Sequence, residues 1–266
     1  MIERIALIGF GEAGSTFARA AAWRERATAY DIDPTRRSLM DACTVRPCRA
    51  ASEALAEAPL VLSLVTADQA LVAAQDCASL LASQALWCDM NSVAPQTKRT
   101  AAAAIEAAGG RYVDVAVLAP VEPGRLAVPL LLAGPHAAAA EIALRVAGFS
   151  NVRVVSAEVG TASAIKMIRS VMVKGIEALT DEMMVAATAA GVADEVLASL
   201  DASEKAQGWA QRAAYNLERM QTHGLRRAAE MEQSAKTLEA LGVEPVMTRG
   251  TVLRQRAASR HKDNAA

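Results

Sequence analysis

The chain has 266 residues, 53% of them hydrophobic, and a formal net charge of −1. This composition excludes disordered and collagen-like chains, and the charge balance argues against nucleic acid as the main partner. The length admits one large domain or two smaller ones. The opening MIERIALIGF carries acid and base early and reaches glycine before a long apolar run builds, so it predicts a first strand and no signal peptide. No stretch approaches an uninterrupted membrane span, and a soluble cytoplasmic protein is expected.

Up to about residue 155, short apolar runs alternate with alanine-rich amphipathic segments. The runs are Ile5–Ile8, Ala27–Tyr30, Leu60–Val65, Leu86–Cys88, Tyr112–Val117, Val128–Leu132 and Val152–Val155. Between them lie helical patterns at Gly14–Trp23, Gln69–Leu81, Pro95–Ala108 and His136–Ala147. Strand–helix alternation with strands buried on both faces predicts an α/β fold built on a doubly wound, mostly parallel sheet. Cys43, Cys48, Cys77 and Cys88 form no CxxC pair and have no histidine nearby. They read as buried thiols in a reducing compartment, and no metal site is expected.

The first run ends in Gly9–Phe10–Gly11–Glu12–Ala13–Gly14, and a helical pattern follows at once. The first glycine permits the tight turn, the second lets backbone approach a pyrophosphate, and the third lets the helix pack on its strand. The helix N-terminus then faces the phosphates. The next strand ends in Tyr30–Asp31, and Asp31 lies about 20 residues beyond the middle glycine, where the ribose-binding acid belongs. An Asp there accepts from the 2′-hydroxyl and repels a 2′-phosphate, which favours NAD over NADP. Arg36 and Arg37 follow closely and leave NADP possible. The loop through Val65 and Thr66 is expected to line the cofactor, because ligands bind beyond the carboxyl ends of the strands.

After Gly160 the strand signals disappear. Ile165, Ile168, Met172, Ile176 and Leu179 recur at steps of three or four, predicting a long helix from Thr161 to about Ala190 with Gly191 as its stop. Further helices are expected at roughly Asp194–Leu200, Lys205–Gln221 and Arg226–Leu241, with a frayed polar tail from Arg254. The Thr161 helix carries Lys166, Arg169, Ser170 and Lys174 on one side. Three cations without an acid suit an anionic ligand, and their crowding would ease proton exchange at Lys166. A solvated face with snorkelling lysines fits the same pattern. His223, read as lying between two helices, is either a surface residue or part of a site.

Gly9–Gly14, Asp89–Pro95 (DMNSVAP), Asp114–Pro120 (DVAVLAP) and Gly160–Ser170 (GTASAIKMIRS) occur in this order. Together they resemble the β-hydroxyacid dehydrogenase superfamily, which includes 3-hydroxyisobutyrate and 6-phosphogluconate dehydrogenases. KMIRSVMVKGIEAL and RRAAEMEQSAKTLEALGVEP are similar to its branch with a compact helical C-terminal domain, DUF1932. The resemblance implies a Rossmann-type NAD(P)-binding domain over residues 1–158. An all-helical substrate and dimerisation domain follows over 159–266, in a homodimer. It implies that Lys166 is the catalytic acid/base and that Asn91 and Ser92 lie near the nicotinamide ribose. Leu118, Ala119 and Pro120 stand where the family has Ser–Gly–Gly, which binds the substrate carboxylate. Arg169 and Ser170 stand where it has two asparagines. Ser170 would then hydrogen-bond a substrate oxygen, Arg169 and Lys174 would hold an anionic substrate, and His223 would return over the cleft. Asp114 is read as fixing a loop.

The expected activity is hydride transfer between NAD(H) and a small hydroxy or oxo carboxylic acid, at a site between the glycine-rich domain and the Thr161 helix. An imine or pyrroline-type reductase and a non-catalytic dinucleotide-binding protein are the alternatives.

Overall fold

The computed structural model describes residues 4–203 and 208–263. The chain divides into two compact units, residues 1–169 and 170–266.

In the first unit, chain order runs β1 (Ile5–Ile8), α1 (Glu12–Ala21), β2 (Ala27–Tyr30), α2 (Arg37–Ala42), β3 (Arg46–Pro47), α3 (Ala51–Leu55) and β4 (Leu60–Ser63). It continues α4 (Ala70–Ala78), β5 (Leu86–Asp89), α5 (Pro95–Ala107), β6 (Arg111–Val117), β7 (Leu130–Ala133), α6 (Ala137–Val146) and β8 (Val152–Ser156). The strands form one sheet in the order β3-β2-β1-β4-β5-β6-β7-β8. All neighbours pair parallel except β6 and β7. The order reverses between β1 and β4, so the ends of those strands open a crevice at the switch point.

β1, β4 and β5 are buried at every position, as strands with helices on both faces must be. One apolar cluster gathers Leu7, Phe17, Cys88, Val113 and Leu144. A second gathers Ile8, Val61, Trp87, Ile105 and Tyr112. Alternation along the strands separates them: Val113 and Val115 belong to the first cluster, Tyr112 to the second. Trp23 and Trp87 are core residues, and the Trp23 indole N–H donates to the Ala147 carbonyl at 2.8 Å. All four cysteines are free and buried.

A long helix, α7 (Thr161–Ala189), begins in the first unit and runs into the second, which continues with α8 (Ala193–Ser203), α9 (Trp209–Ala240) and α10 (Val246–Asp263). The second unit departs from expectation in two places. The two helices expected on either side of Gly224 are one, so His223 lies inside α9 and not in a loop. Gly224 is buried, and a Cβ there would collide with Ser259 and the Gln255 carbonyl of α10. It is a packing residue, not a break. Residues 254–263 of the tail expected to fray form the later turns of α10, and 264–266 lie outside the described residues. The start of the helix expected from Lys205, residues 204–207, lies outside the described residues, as does the Trp209 side chain.

Glu182 of α7 closes the N-terminus of α10. It accepts from the Met247 N–H at 2.7 Å and from the Thr248 N–H at 2.9 Å. These are donors that a helix leaves without internal partners. Among the described residues, no helix is long and apolar enough to cross a membrane.

Candidate active site

The glycine turn sits at the crevice. Gly9 has φ +91°, and a Cβ there would lie 2.5 Å from the Leu64 carbonyl oxygen, so only glycine fits without strain. Gly14 lies against the turn, with a virtual Cβ 3.0 Å from the Gly9 carbonyl oxygen. At Gly11 a Cβ would point into open space, and no side chain caps the N-terminus of α1. This leaves an open cradle at a helix N-terminus, of the kind suited to a phosphate group.

The Asp31 carboxylate ties that turn to β2. Its Oδ2 accepts from the Phe10 N–H at 2.6 Å and its Oδ1 from the Asp33 N–H at 2.9 Å. The Phe10 side chain itself is core. Each Asp31 oxygen keeps a further lone pair for a ribose hydroxyl. Asp31, Gly9, Gly11, Thr66 and Arg36 line a cavity of about 490 Å³. Cys77 also lines it, and burial pushes its thiol up to about 12, leaving it protonated and unreactive.

A second cavity of about 420 Å³ shares Glu12, Leu64 and Val65 with the first. The two form one groove across the switch point. The second is lined by Ala13, Asn91, Ser92, Ala119, Pro120 and Lys166. Lys166 Nζ donates a hydrogen bond to Ser92 Oγ, joining α7 to the loop after β5 across 74 residues of sequence. Asn91 is buried, its Nδ2 donating to Ser63 Oγ at 2.9 Å and to Asp89 Oδ1 at 2.8 Å. Its Oδ1 has no protein donor, leaving one acceptor for a ligand.

The remaining candidates with described side chains are not among the residues that line these two cavities. Leu118 packs against the small apolar cluster of Ala116, Leu131, Ala133 and Ala162 and is not among the lining residues. Arg169 is exposed, three residues beyond Lys166 on α7. Ser170 opens the second unit, and the Lys174 side chain lies outside the described residues. His223 lines a separate cavity of about 210 Å³ in the second unit, beside Tyr215, Arg219 and Arg226.

Sequence reasoning missed a buried polar group under the groove. Lys98 has no exposed surface, and its Nζ donates to Asp89 Oδ1 at 2.9 Å. Tyr112 Oη donates to Asp89 Oδ2 at 2.7 Å. Burial, and then the Asp89 carboxylate, push the Tyr112 hydroxyl far up, so it stays a donor. Asp114 Oδ2 accepts from the Gly160 and Ser163 N–H groups at 3.1 and 3.0 Å, and so holds the start of α7. A signal for Lys98 was present: it falls on the helical face of Ala101, Ala102 and Ile105, where a cation needs a buried partner.

A sheet of this topology, with a glycine cradle at its switch point and an acid just after β2, defines a nicotinamide-dinucleotide-binding oxidoreductase of the dehydrogenase and reductase class. Residues 4–149 match the model for the NAD binding domain of 6-phosphogluconate dehydrogenase, and residues 187–258 match a domain of unknown function, DUF1932. The chain belongs to the family of the 6-phosphogluconate dehydrogenase NAD-binding domain, joined to DUF1932, as the motif resemblance implied.

A conserved hypothetical protein from Sinorhizobium meliloti 1021 is 37% identical over 98% of this chain and 89% of its own, with a TM-score of 0.64. The conserved protein MTH1747, whose structure is described as similar to 3-hydroxyacid dehydrogenases, is 27% identical over 99% of both chains, with a TM-score of 0.62. An imine reductase from Myxococcus stipitatus, solved with NAD+, shares the fold at 17% identity, covering 97% of this chain and 94% of its own, with a TM-score of 0.78. No curated protein matches the chain.

Proposed function

We propose that the protein transfers hydride between NAD(H) and a small hydroxy or oxo carboxylic acid, with Lys166 as general acid and base. The observation that carries this reading is the Lys166–Ser92 hydrogen bond in a cavity also lined by Glu12 and Ala13 of the glycine turn. Bound nicotinamide supplies the hydride acceptor or donor. In oxidation the Lys166 amine takes the proton of the substrate hydroxyl as its C–H bond breaks and the carbonyl forms. In reduction the ammonium returns that proton to the carbonyl oxygen. Ser92 Oγ aims the amine into the cavity.

Ala119 and Pro120 offer no side-chain donor to a carboxylate, so cationic side chains must hold it. Lys166 must be neutral to take the hydroxyl proton, so Arg169, with a planar fork suited to carboxylates, is the cation we assign to it. Asn91 Oδ1 would accept a hydrogen bond from a hydroxyl or amide at the nicotinamide end of a bound cofactor. NAD is preferred to NADP because Asp31 faces the groove, while the Arg36 Nε lies 3.5 Å from the Asp33 carboxylate.

The working division is a dinucleotide-binding domain over 1–158 and a substrate and dimerisation domain over 159–266. A homodimer is supported by apolar side chains left open along α7, with Ile168 and Val171 exposed to 72% and 76%. The four free buried thiols suit the reducing cytoplasm.

The test is a panel of small 2- and 3-hydroxy acids with NAD+, the matching oxo acids with NADH, and cyclic imines with NADPH, run on wild type and Lys166→Met. Turnover of an acid is expected, falling at least about 100-fold in Lys166→Met while NADH still binds. Unchanged turnover in that variant overturns the role of Lys166. Activity on cyclic imines alone assigns the protein to imine reduction. Tight NADH binding with no turnover across the panel makes it a non-catalytic binding protein.

A further inference from the structure

We propose that Lys98 is a positioning residue for Lys166, acting through a buried charge network that locks the Asn91–Ser92 turn to the start of α7. The proposal rests on the reading of Lys166 given above. Lys98 Nζ donates to the Asp89 carbonyl at 2.6 Å and to Asp89 Oδ1 at 2.9 Å, and lies 3.6 Å from Asp114 Oδ1. Each carboxylate then has a second task. Asp89 Oδ1 accepts from the Asn91 N–H at 3.0 Å and from Asn91 Nδ2 at 2.8 Å, fixing the turn whose next residue is Ser92. Asp114 Oδ2 accepts from the Gly160 and Ser163 N–H groups, fixing the turn of α7 that leads to Lys166. One ammonium thus balances the two anions that hold the two halves of the Lys166–Ser92 contact.

Packing alone does not account for the trio. Taking three charges out of water is costly, and apolar side chains of the same volume would fill the space as well or better. Apolar side chains would not orient Asn91 or bind the free N–H groups of α7. Steric contact adds to the lock. Gly160 has φ +101°, and a Cβ there would lie 2.6 Å from Arg99 Nη1 and 3.2 Å from Pro95 Cβ. The α7 start is therefore pressed onto the helix that carries Lys98. Proton transfer requires heavy-atom placement within hydrogen-bond reach, which a loose helix start would not maintain.

The experiment follows acetylation of Lys166 by limiting acetic anhydride, with NADH bound, by peptide mass spectrometry across pH. Lys98→Met leaves two buried carboxylates without their cation and is at risk of not folding. Asp114→Asn is therefore the main variant, because it keeps the side-chain shape and one acceptor oxygen while removing the charge. Val115→Ala, on the same strand with its side chain on the opposite face, controls for lost stability. In Asp114→Asn we expect Lys166 to acetylate about fivefold faster, with a displaced pH profile, as the amine is released from Ser92. NADH affinity and circular dichroism should stay as in wild type, and Val115→Ala should leave the labelling unchanged. An unaltered rate and profile in Asp114→Asn, or an equal change in Val115→Ala, overturns the proposal. The readout is the Lys166 amine and not turnover, so failure of the acid/base role through Lys166→Met is a separate result.

Discussion

The Phe10 N–H donates to Asp31 Oδ2 at 2.6 Å, so one carboxylate both shapes the glycine turn and faces the groove that turn opens. Its second oxygen is tied to the Asp33 N–H. The shape of the turn and the charge facing the groove are therefore coupled at a single side chain.

That coupling separates two substitutions. Asp31→Asn keeps one acceptor oxygen and removes the charge that repels a 2′-phosphate. The ratio of NADPH to NADH affinity should rise about tenfold, which corresponds to about 1.4 kcal/mol. Asp31→Ala loses the tether as well, and binding of both cofactors should weaken by at least about tenfold. Fluorescence titration with each reduced cofactor measures both.

Two glycines of the turn should fail differently. Gly9→Ala places a Cβ 2.5 Å from the Leu64 carbonyl oxygen at a positive φ, and should cost about 2–4 kcal/mol of stability as well as cofactor binding. Gly11→Ala meets nothing within 4 Å, so thermal unfolding should be unchanged while NADH affinity falls steeply. Loss of stability without loss of binding at Gly11 would contradict the cradle.

Glu182 makes the second unit sensitive to acid. Burial works to raise its pKa, but donors from Thr248 and the Met247 N–H outweigh that and hold it below its ordinary 4.5. A group depressed in the folded state contributes fully above its unfolded value and loses that contribution as pH falls through the folded one. The tether of α10 should therefore be intact at neutral pH and weaken below about pH 4.5. Glu182→Gln should cost about 1 kcal/mol at pH 7, on the scale of other helix caps, and remove most of this acid dependence. Thermal melts of both proteins at pH values on either side of the window check it.

Gly224→Ala tests why a glycine interrupts the α9 sequence. Helix propensity alone would stabilise α9 by about 1 kcal/mol. The added methyl meets the Gln255 carbonyl on α10, and overpacking of this kind costs about 1–3 kcal/mol. Packing should win, and the variant should unfold at a lower temperature than wild type.

Seven of the strands were legible because each is mostly apolar, even with Asp114 in the middle of β6, and the glycine turn because its backbone needs residues without Cβ atoms. The two-residue strand β3, Arg46–Pro47, carries too little pattern to be seen. Gly224 misled because a glycine that ends a helix and one that admits a neighbouring helix look alike in sequence. Lys98 and Asp89 were missed because their partners are distant: Asp89 pairs with Tyr112 across neighbouring strands, and Lys98 reaches both β5 and β6.

The ligand class and the change from alternating strands and helices to helices alone were legible along the chain, since strand and helix periodicities, the glycine turn and Asp31 are local signals. The meeting of Lys166 with Ser92, and of Lys98 with two aspartates, was decided by tertiary structure. Those contacts depend on β5, β6 and the start of α7 converging at one end of the sheet, which no spacing along the chain records.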